Sequence, residues 1–195
     1  MDVQQTPHSL LVRLTRMTLQ FEWRHDRWQH VVESSVGRPW RLVSVEGGPD
    51  DTIPCSPAFQ DLWFERRDDS HCEVQAMGQA GVAIYSVAVH VDGERNRLEF
   101  DVCARRKKAR GPFWATSRYQ IPGVSAGEVS STWLQAQGVD CRMEPLETST
   151  ARPPEDLVFE GDGFVAGYPA PLVGTEQSDL LQWRWKYTIE AVGQA

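Results

Sequence analysis

The sequence predicts an all-β protein, and three stretches carry that reading. Near the end of the chain Leu181, Trp183, Trp185, Tyr187 and Ile189 alternate with Gln182, Arg184, Lys186, Thr188 and Glu190. A period of two puts the first set on one face of a strand and the second on the other, whereas a helix would scatter both around its circumference. Met17, Leu19, Phe21 and Trp23 alternate in the same way with Thr18, Gln20, Glu22 and Arg24. Between these ends, two β-rich runs flank Asp92, Gly93, Glu94, Arg95 and Asn96, a polar turn of hairpin length with a glycine to supply positive φ.

Taken in order, the first strand is expected over residues 14–23, followed by strands at 28–34, 40–46, 62–66 and 72–77. A short pairing is expected across residues 77–81, then the central hairpin around Gly93, then a second hairpin in which Glu160, Gly161, Asp162 and Gly163 form the turn. Residues 126–138 make the one stretch able to form a helix. Ser130, Ser131 and Thr132 are poor helix formers, so it is expected as a short turn bringing Val129, Trp133 and Leu134 to the core. Long loops are expected at 47–57 and 147–156, where Gly, Pro, Asp, Ser and Thr concentrate. No internal repeat is found. About nine or ten locally joined strands predict one antiparallel β-barrel or barrel-like sandwich spanning residues 1–195 as a single domain, its first and last strands adjacent.

Composition narrows the function classes. The 195 residues are 41% hydrophobic and 24% charged, the mixture of a folded soluble domain, and the net charge of −7 opposes whole-molecule attraction to nucleic acid or anionic membranes. No apolar run reaches the roughly 18–20 residues of a spanning helix. Arg13 and Arg16 interrupt the N-terminal apolar run and no secretory signal is seen, so a cytoplasmic location is expected. Cys55, Cys72, Cys103 and Cys141 form no CxxC pair and are expected as free thiols, with no metal site. No nucleophile elbow, P-loop or dinucleotide-binding glycine pattern occurs, and the sequence names no cofactor.

Three candidate sites remain. Eight Trp, seven Phe and four Tyr supply large amphipathic rings. A barrel interior walled by Trp23, Trp28, Trp40, Trp63, Tyr85, Trp183, Trp185 and Tyr187, with His30 or His90 as polar anchor, is expected to bind a small apolar or aromatic ligand. His90 is assigned inward with Val82, Ile84 and Ala88. The bland alternative is that these rings are simply core and the histidines hydrogen-bonded within it.

The second candidate is the basic run Arg105, Arg106, Lys107, Lys108 and Arg110, followed by Phe113, Trp114, Arg118 and Tyr119. Cations interleaved with rings suit an acidic or phosphate-bearing partner, although Lys and Arg also keep strand ends from aggregating. The third pairs His30 with Glu33, expected to point inward beside it, as acid and base of a cofactor-free isomerase or cyclase. An inward histidine is also a possible haem ligand. His25 and His30, five apart, do not chelate, and the acidic clusters Glu65, Asp68, Asp69 and Asp50, Asp51 read as solvated charge.

In the segment from Gly37 to Gly47, Gly37-x-x-Trp40 resembles the Gly-x-Trp motif that opens the first barrel strand in the lipocalin and fatty-acid-binding group, with one more residue between the two. The resemblance covers this segment alone and implies only a calycin-like general shape.

Overall fold

Alternating side chains become strands throughout. The computed structural model describes residues 1–35, 39–106, 111–146, 156–168, 172–173 and 182–193. In chain order these form β1 (Asp2–Thr6), β2 (Ser9–Arg13), β3 (Met17–Arg24), β4 (Arg27–Ser34), β5 (Arg41–Ser44), β6 (Asp61–Arg66), β7 (His71–Ala80), β8 (Ala83–Asp92), β9 (Arg97–Arg106), β10 (Pro112–Phe113), β11 (Thr116–Gln120), α1 (Ser131–Ala136), β12 (Val139–Glu144), β13 (Val158–Glu160), β14 (Gly163–Gly167), β15 (Leu172–Val173) and β16 (Gln182–Ala191). Leu181 and most of the expected 147–156 loop lie outside the described residues.

The protein is all-β, built from two main antiparallel sheets. One has the order β1-β2-β3-β4-β5-β11-β14-β13, the other β12-β16-β9-β8-β7-β6, and β10 pairs separately with β15. Strands β1 to β5 and β6 to β9 are simple meanders, as their hairpin turns dictate. Asn96, with φ 53°, closes the β8–β9 turn, and Gly161, with φ 61°, the β13–β14 turn. The helix is the expected short turn, capped by Ser130 Oγ accepting from Trp133 N at 3.1 Å, with Leu134 buried.

The first expected strand, here β3, sits in the eight-stranded sheet and β16 in the six-stranded one, so the two are not neighbours as expected. β3 is instead sandwiched between β2 and β4, because an N-terminal hairpin of mostly polar residues precedes it. β16 pairs with β9 over Gln182–Glu190 and with β12 on its other side.

One hydrophobic cluster fills the space between the two inner faces, from Leu19 and Phe21 on one sheet to Phe100 and Trp185 on the other. At one corner the sheets are tied through a single segment. Trp28 N donates to Phe59 O at 2.8 Å, and the next residue's amide, Gln60 N, donates to Met77 O at 2.8 Å, so this segment bonds β4 and β7 at once.

Gly78 makes that corner possible, since a methyl group there would run into the Ala58 carbonyl and lie 2.7 Å from Phe59 Cα. Gly78→Ala is therefore expected to lower stability by about 1–3 kcal/mol through overpacking against backbone. Urea denaturation checks this, as a fall in midpoint at unchanged slope.

Candidate functional site

The sandwich interior holds one group of polar side chains, and strand register brings it together. His30 lies opposite Phe21 on β3, Tyr119 of β11 opposite Ser44 of β5, and Tyr187 of β16 opposite Phe100 of β9. Glu46 follows Ser44 by two residues and returns to the same face. His30 and Glu46 are buried, with side chains 7% and 2% exposed.

His30 is ringed by aromatics. Its imidazole centroid is 5.3 Å from Phe21, 5.5 Å from Phe100 in a stacked arrangement, and 5.4 Å from Tyr119 edge-on. His30 Nε2 is 2.6 Å from Tyr119 Oη, and Tyr119 Oη is 2.8 Å from Tyr187 Oη. The chain of contacts thus crosses from one sheet to the other. Next to it, Trp185 Nε1 donates to Ser117 Oγ at 3.1 Å, a second link between the sheets.

On the other side of the ring, His30 Nδ1 lies 3.3 Å from Glu46 Oε1, within ion-pair distance but out of line for a hydrogen bond. Ser44 Oγ accepts from His30 N at 2.9 Å, and its single proton faces two acceptors, His30 O at 2.7 Å and Glu46 Oε1. Glu46 Oε2, His30 Nδ1 and Arg118 Nε are buried without a hydrogen-bond partner. Such atoms are costly in an apolar interior and are the places where water or a ligand group is wanted.

Burial is the main cause that raises the phenol pKa of both Tyr119 and Tyr187 well above the ordinary value, so both keep their protons at neutral pH. Two proton arrangements follow. With Nε2 unprotonated, Tyr119 donates to His30 and Tyr187 to Tyr119; with Nε2 protonated, every donation reverses. The group can therefore hold or pass a proton along its length without moving heavy atoms.

The space beside His30 is small. It admits a water-sized sphere over about 10 Å³, bounded by His30, Ser44, Ser117, Arg118 and Tyr187 on its polar side and by Phe21, Phe59 and Phe100 among its apolar walls. That volume is on the order of one water. Its roof is the segment after β5, where Ser56 Oγ accepts from Arg118 N at 2.7 Å and Thr116 Oγ1 donates to Cys55 O at 2.6 Å. Arg27, itself buried and held by Asp26, donates from Nη1 to Glu46 O at 2.7 Å.

Of the aromatic lining expected from sequence, Trp28, Trp40, Tyr85, Trp183, Trp185 and Tyr187 are buried, but only Tyr187 borders this space. Trp28 Nε1 donates to Gln60 O at 3.2 Å and Tyr85 Oη to Trp114 O at 3.2 Å, so their polar atoms are already engaged within the protein. Trp23 is half-buried, edge-on to Trp28 at 5.5 Å.

Two expected residues face outward. Trp63 is 50% exposed on the outer face of β6. His90 also lies outside, its Nδ1 3.2 Å from Glu73 Oε2. In β8 the wholly apolar set is Ala83, Tyr85, Val87, Val89 and Val91, which turns inward where Val87 and Val89 pair with Val102 and Phe100; His90 shares the outer parity with Ile84 and Ala88 but also with Ser86 and Asp92.

Glu33 is corrected as well. It is three residues from His30, on the opposite face, half-exposed and 3.6 Å from Arg41. The carboxylate beside His30 is Glu46. The missed signal was Leu42, Ser44 and Glu46 on alternate positions, two polar residues continuing the apolar face of a strand, with Tyr119 their cross-strand neighbour.

The basic run is not gathered into one surface among the described residues. Arg105 and Arg106 end β9 in the six-stranded sheet, whereas Arg118 lies in the eight-stranded sheet, ion-paired with Glu160. Lys107, Lys108 and Arg110 lie outside the described residues.

All four cysteines are free thiols. Burial raises the pKa of each, Cys72 up to about 11, which leaves them protonated and poor nucleophiles. Among the described residues no metal-ligating set of three comes together, and no helix is long and apolar enough to cross a membrane. No protein-family model, curated protein or solved structure matches the chain.

Because the folded phenols ionise only well above the ordinary value of about 10, their stabilising contribution is complete below that pH and is lost as pH rises beyond it. Each such tyrosine should contribute a slope of about 1.4 kcal/mol per pH unit in the alkaline range. Urea midpoints measured up the alkaline limb should fall less steeply for Tyr119→Phe than for the unaltered protein.

Proposed function

We propose that this protein binds a small, largely apolar or aromatic ligand between its two sheets at His30, the sheets acting as a barrel-like container. The observation that supports the reading is a buried polar chain, Glu46, His30, Tyr119 and Tyr187, whose His30 and Tyr187 border a small space together with Arg118, while His30 Nδ1, Glu46 Oε2 and Arg118 Nε are buried without a hydrogen-bond partner among the described residues. A flat apolar body would lie among Phe21, Phe59 and Phe100, and one polar group would meet His30 and Arg118. This is the composition expected of a ligand pocket, apolar walls with a few convergent polar groups.

Entry requires the roof to move, since the closed space holds no more than a water. The segment from Pro54 to Pro57 is suited to that. Its hydrogen bonds to β11 are the few of Cys55 and Ser56 with Thr116 and Arg118, and a proline stands at each end. The free thiols fit a reducing, cytoplasmic setting.

A second reading is favoured by the reversible proton arrangement of the same group. With Glu46 in the place expected for Glu33, His30 would act as acid and base on the bound molecule in a cofactor-free isomerisation or cyclisation. Tyr187→Phe separates the two readings, because it keeps the apolar walls and interrupts the proton chain.

The test is native followed by denaturing mass spectrometry of freshly purified protein, then thermal shift with a panel of small apolar and aromatic compounds. A non-covalent adduct seen only under native conditions is expected. A binding compound at about 100 times its Kd should stabilise the fold by about 2.7 kcal/mol, and Phe100→Trp, which fills the space, should remove both effects. No adduct and no shift with any compound would overturn the reading.

A further inference from the structure

The outer face of the six-stranded sheet carries a feature unrelated to the interior site. Only three large hydrophobic side chains are exposed among the described residues, and two of them, Trp63 at 50% and Met77 at 46%, stand on adjoining strands. The register puts Asp61 opposite Met77, Trp63 opposite Gln75 and Glu65 opposite Glu73. One strand further in, Ser86 lies opposite Met77 and Ala88 opposite Gln75, so the indole and thioether rise above a floor of small side chains. The resulting depression, about 520 Å³, is lined by Trp63, Phe64, Glu65, Glu73, Gln75 and Met77.

Its charge is one-sided. Glu65 and Glu73 are directly opposite each other, a pairing that repels unless a cation intervenes. Glu73 has its own partners, the Arg67 guanidinium and His90 Nδ1 at 3.2 Å. Asp61 and Glu65 have no cation within ion-pair distance among the described residues. An exposed indole flanked two residues away on each side by uncompensated carboxylates is complementary to cationic side chains, whose stems pack on the ring and whose charge meets its face.

The backbone is equally open. Among the described residues β6 is the last strand of its sheet and pairs only with β7, and β4 meets the chain at Phe59, before β6 begins. Asp61, Glu65 and Arg66 give this edge the charge that ordinarily blunts one, but a half-exposed tryptophan stands at its centre.

We propose that β6 is a docking edge for an extended basic peptide, which adds to the sheet as a further strand beyond Trp63. Strand addition places alternate peptide side chains over the outer face. The position over Trp63 takes an apolar side chain and those over Asp61 and Glu65 take Lys or Arg, giving the pattern cation-x-apolar-x-cation. Because both flanking residues are acidic, the pattern reads the same in either strand direction.

The probe is a short capped peptide, threonine-lysine-threonine-valine-threonine-lysine-threonine, titrated against the whole chain and followed by amide chemical shifts. Binding localised to β6 is expected, weakened about tenfold by Trp63→Ala and by Glu65→Lys. Both substitutions are at surface positions, and far-ultraviolet circular dichroism checks that each variant is folded. The same peptide N-methylated at alternate amides should lose binding, since strand addition needs its backbone donors.

No binding at millimolar peptide, equal binding by the Trp63→Ala variant, or undiminished binding of the methylated peptide would each overturn the proposal. So would a dimer of the free protein dissolved by Trp63→Ala, which would make a second copy the occupant of the edge.

Discussion

A buried imidazole has to be given partners at both ring nitrogens, and much of this structure follows from how His30 receives them. Its Nε2 meets Tyr119 at 2.6 Å and Tyr119 meets Tyr187 at 2.8 Å, so a polar contact that begins on β4 ends on β16 in the opposite sheet. Hydrogen bonds of this kind act with direction and fixed length, unlike the apolar contacts around them. They therefore fix the relative registry of β4, β11 and β16 in a core whose rings would tolerate sliding. The cost of burying the polar groups is offset only where their partners are complete. That completeness ends at Nδ1, where Glu46 is near but out of line.

The incompleteness is where structure turns toward function. Away from it, Trp28 and Tyr85 have their polar atoms engaged with the backbone carbonyls of Gln60 and Trp114. Beside His30, unpartnered buried atoms, a small space and a roof held by a few side-chain bonds coincide. An interior that needed nothing more would not combine these. The outer face of the six-stranded sheet shows a similar mismatch, since Trp63 stands exposed on the edge strand between Asp61 and Glu65, neither of which has a cation within ion-pair distance among the described residues.

The fold class was legible because period-two alternation is a local property, and β16, β3 and the β8–β9 hairpin each display it within ten residues. Topology was not, because the pairings of β5 with β11 and of β9 with β16 join segments whose sequences hold no mark of each other. The candidate site was half legible. A histidine and a tyrosine on alternating strands, His30 and Tyr187, could be found, but not the outward place of His90: Ile84 and Ala88 lend its parity of β8 an apolar look, whereas the wholly apolar set of Tyr85, Val87, Val89 and Val91 is the one that turns inward against Phe100 and Val102. Glu33 is the carboxylate nearest His30 along the chain, and its odd offset turns it outward. Glu46 reaches His30 from just beyond the end of β5, and the even spacing from Leu42 through Ser44 was the local trace of it.

The polar link between the sheets is the central claim, and a double-mutant cycle on Tyr119→Phe and Tyr187→Phe tests it most directly. The two hydroxyls touch each other and lie on opposite sheets, so urea denaturation of both single variants and the double should give a coupling of about 1 kcal/mol or more. Losses that add to within about 0.3 kcal/mol would mean that the two phenols act independently and that apolar packing alone sets the sheets against each other.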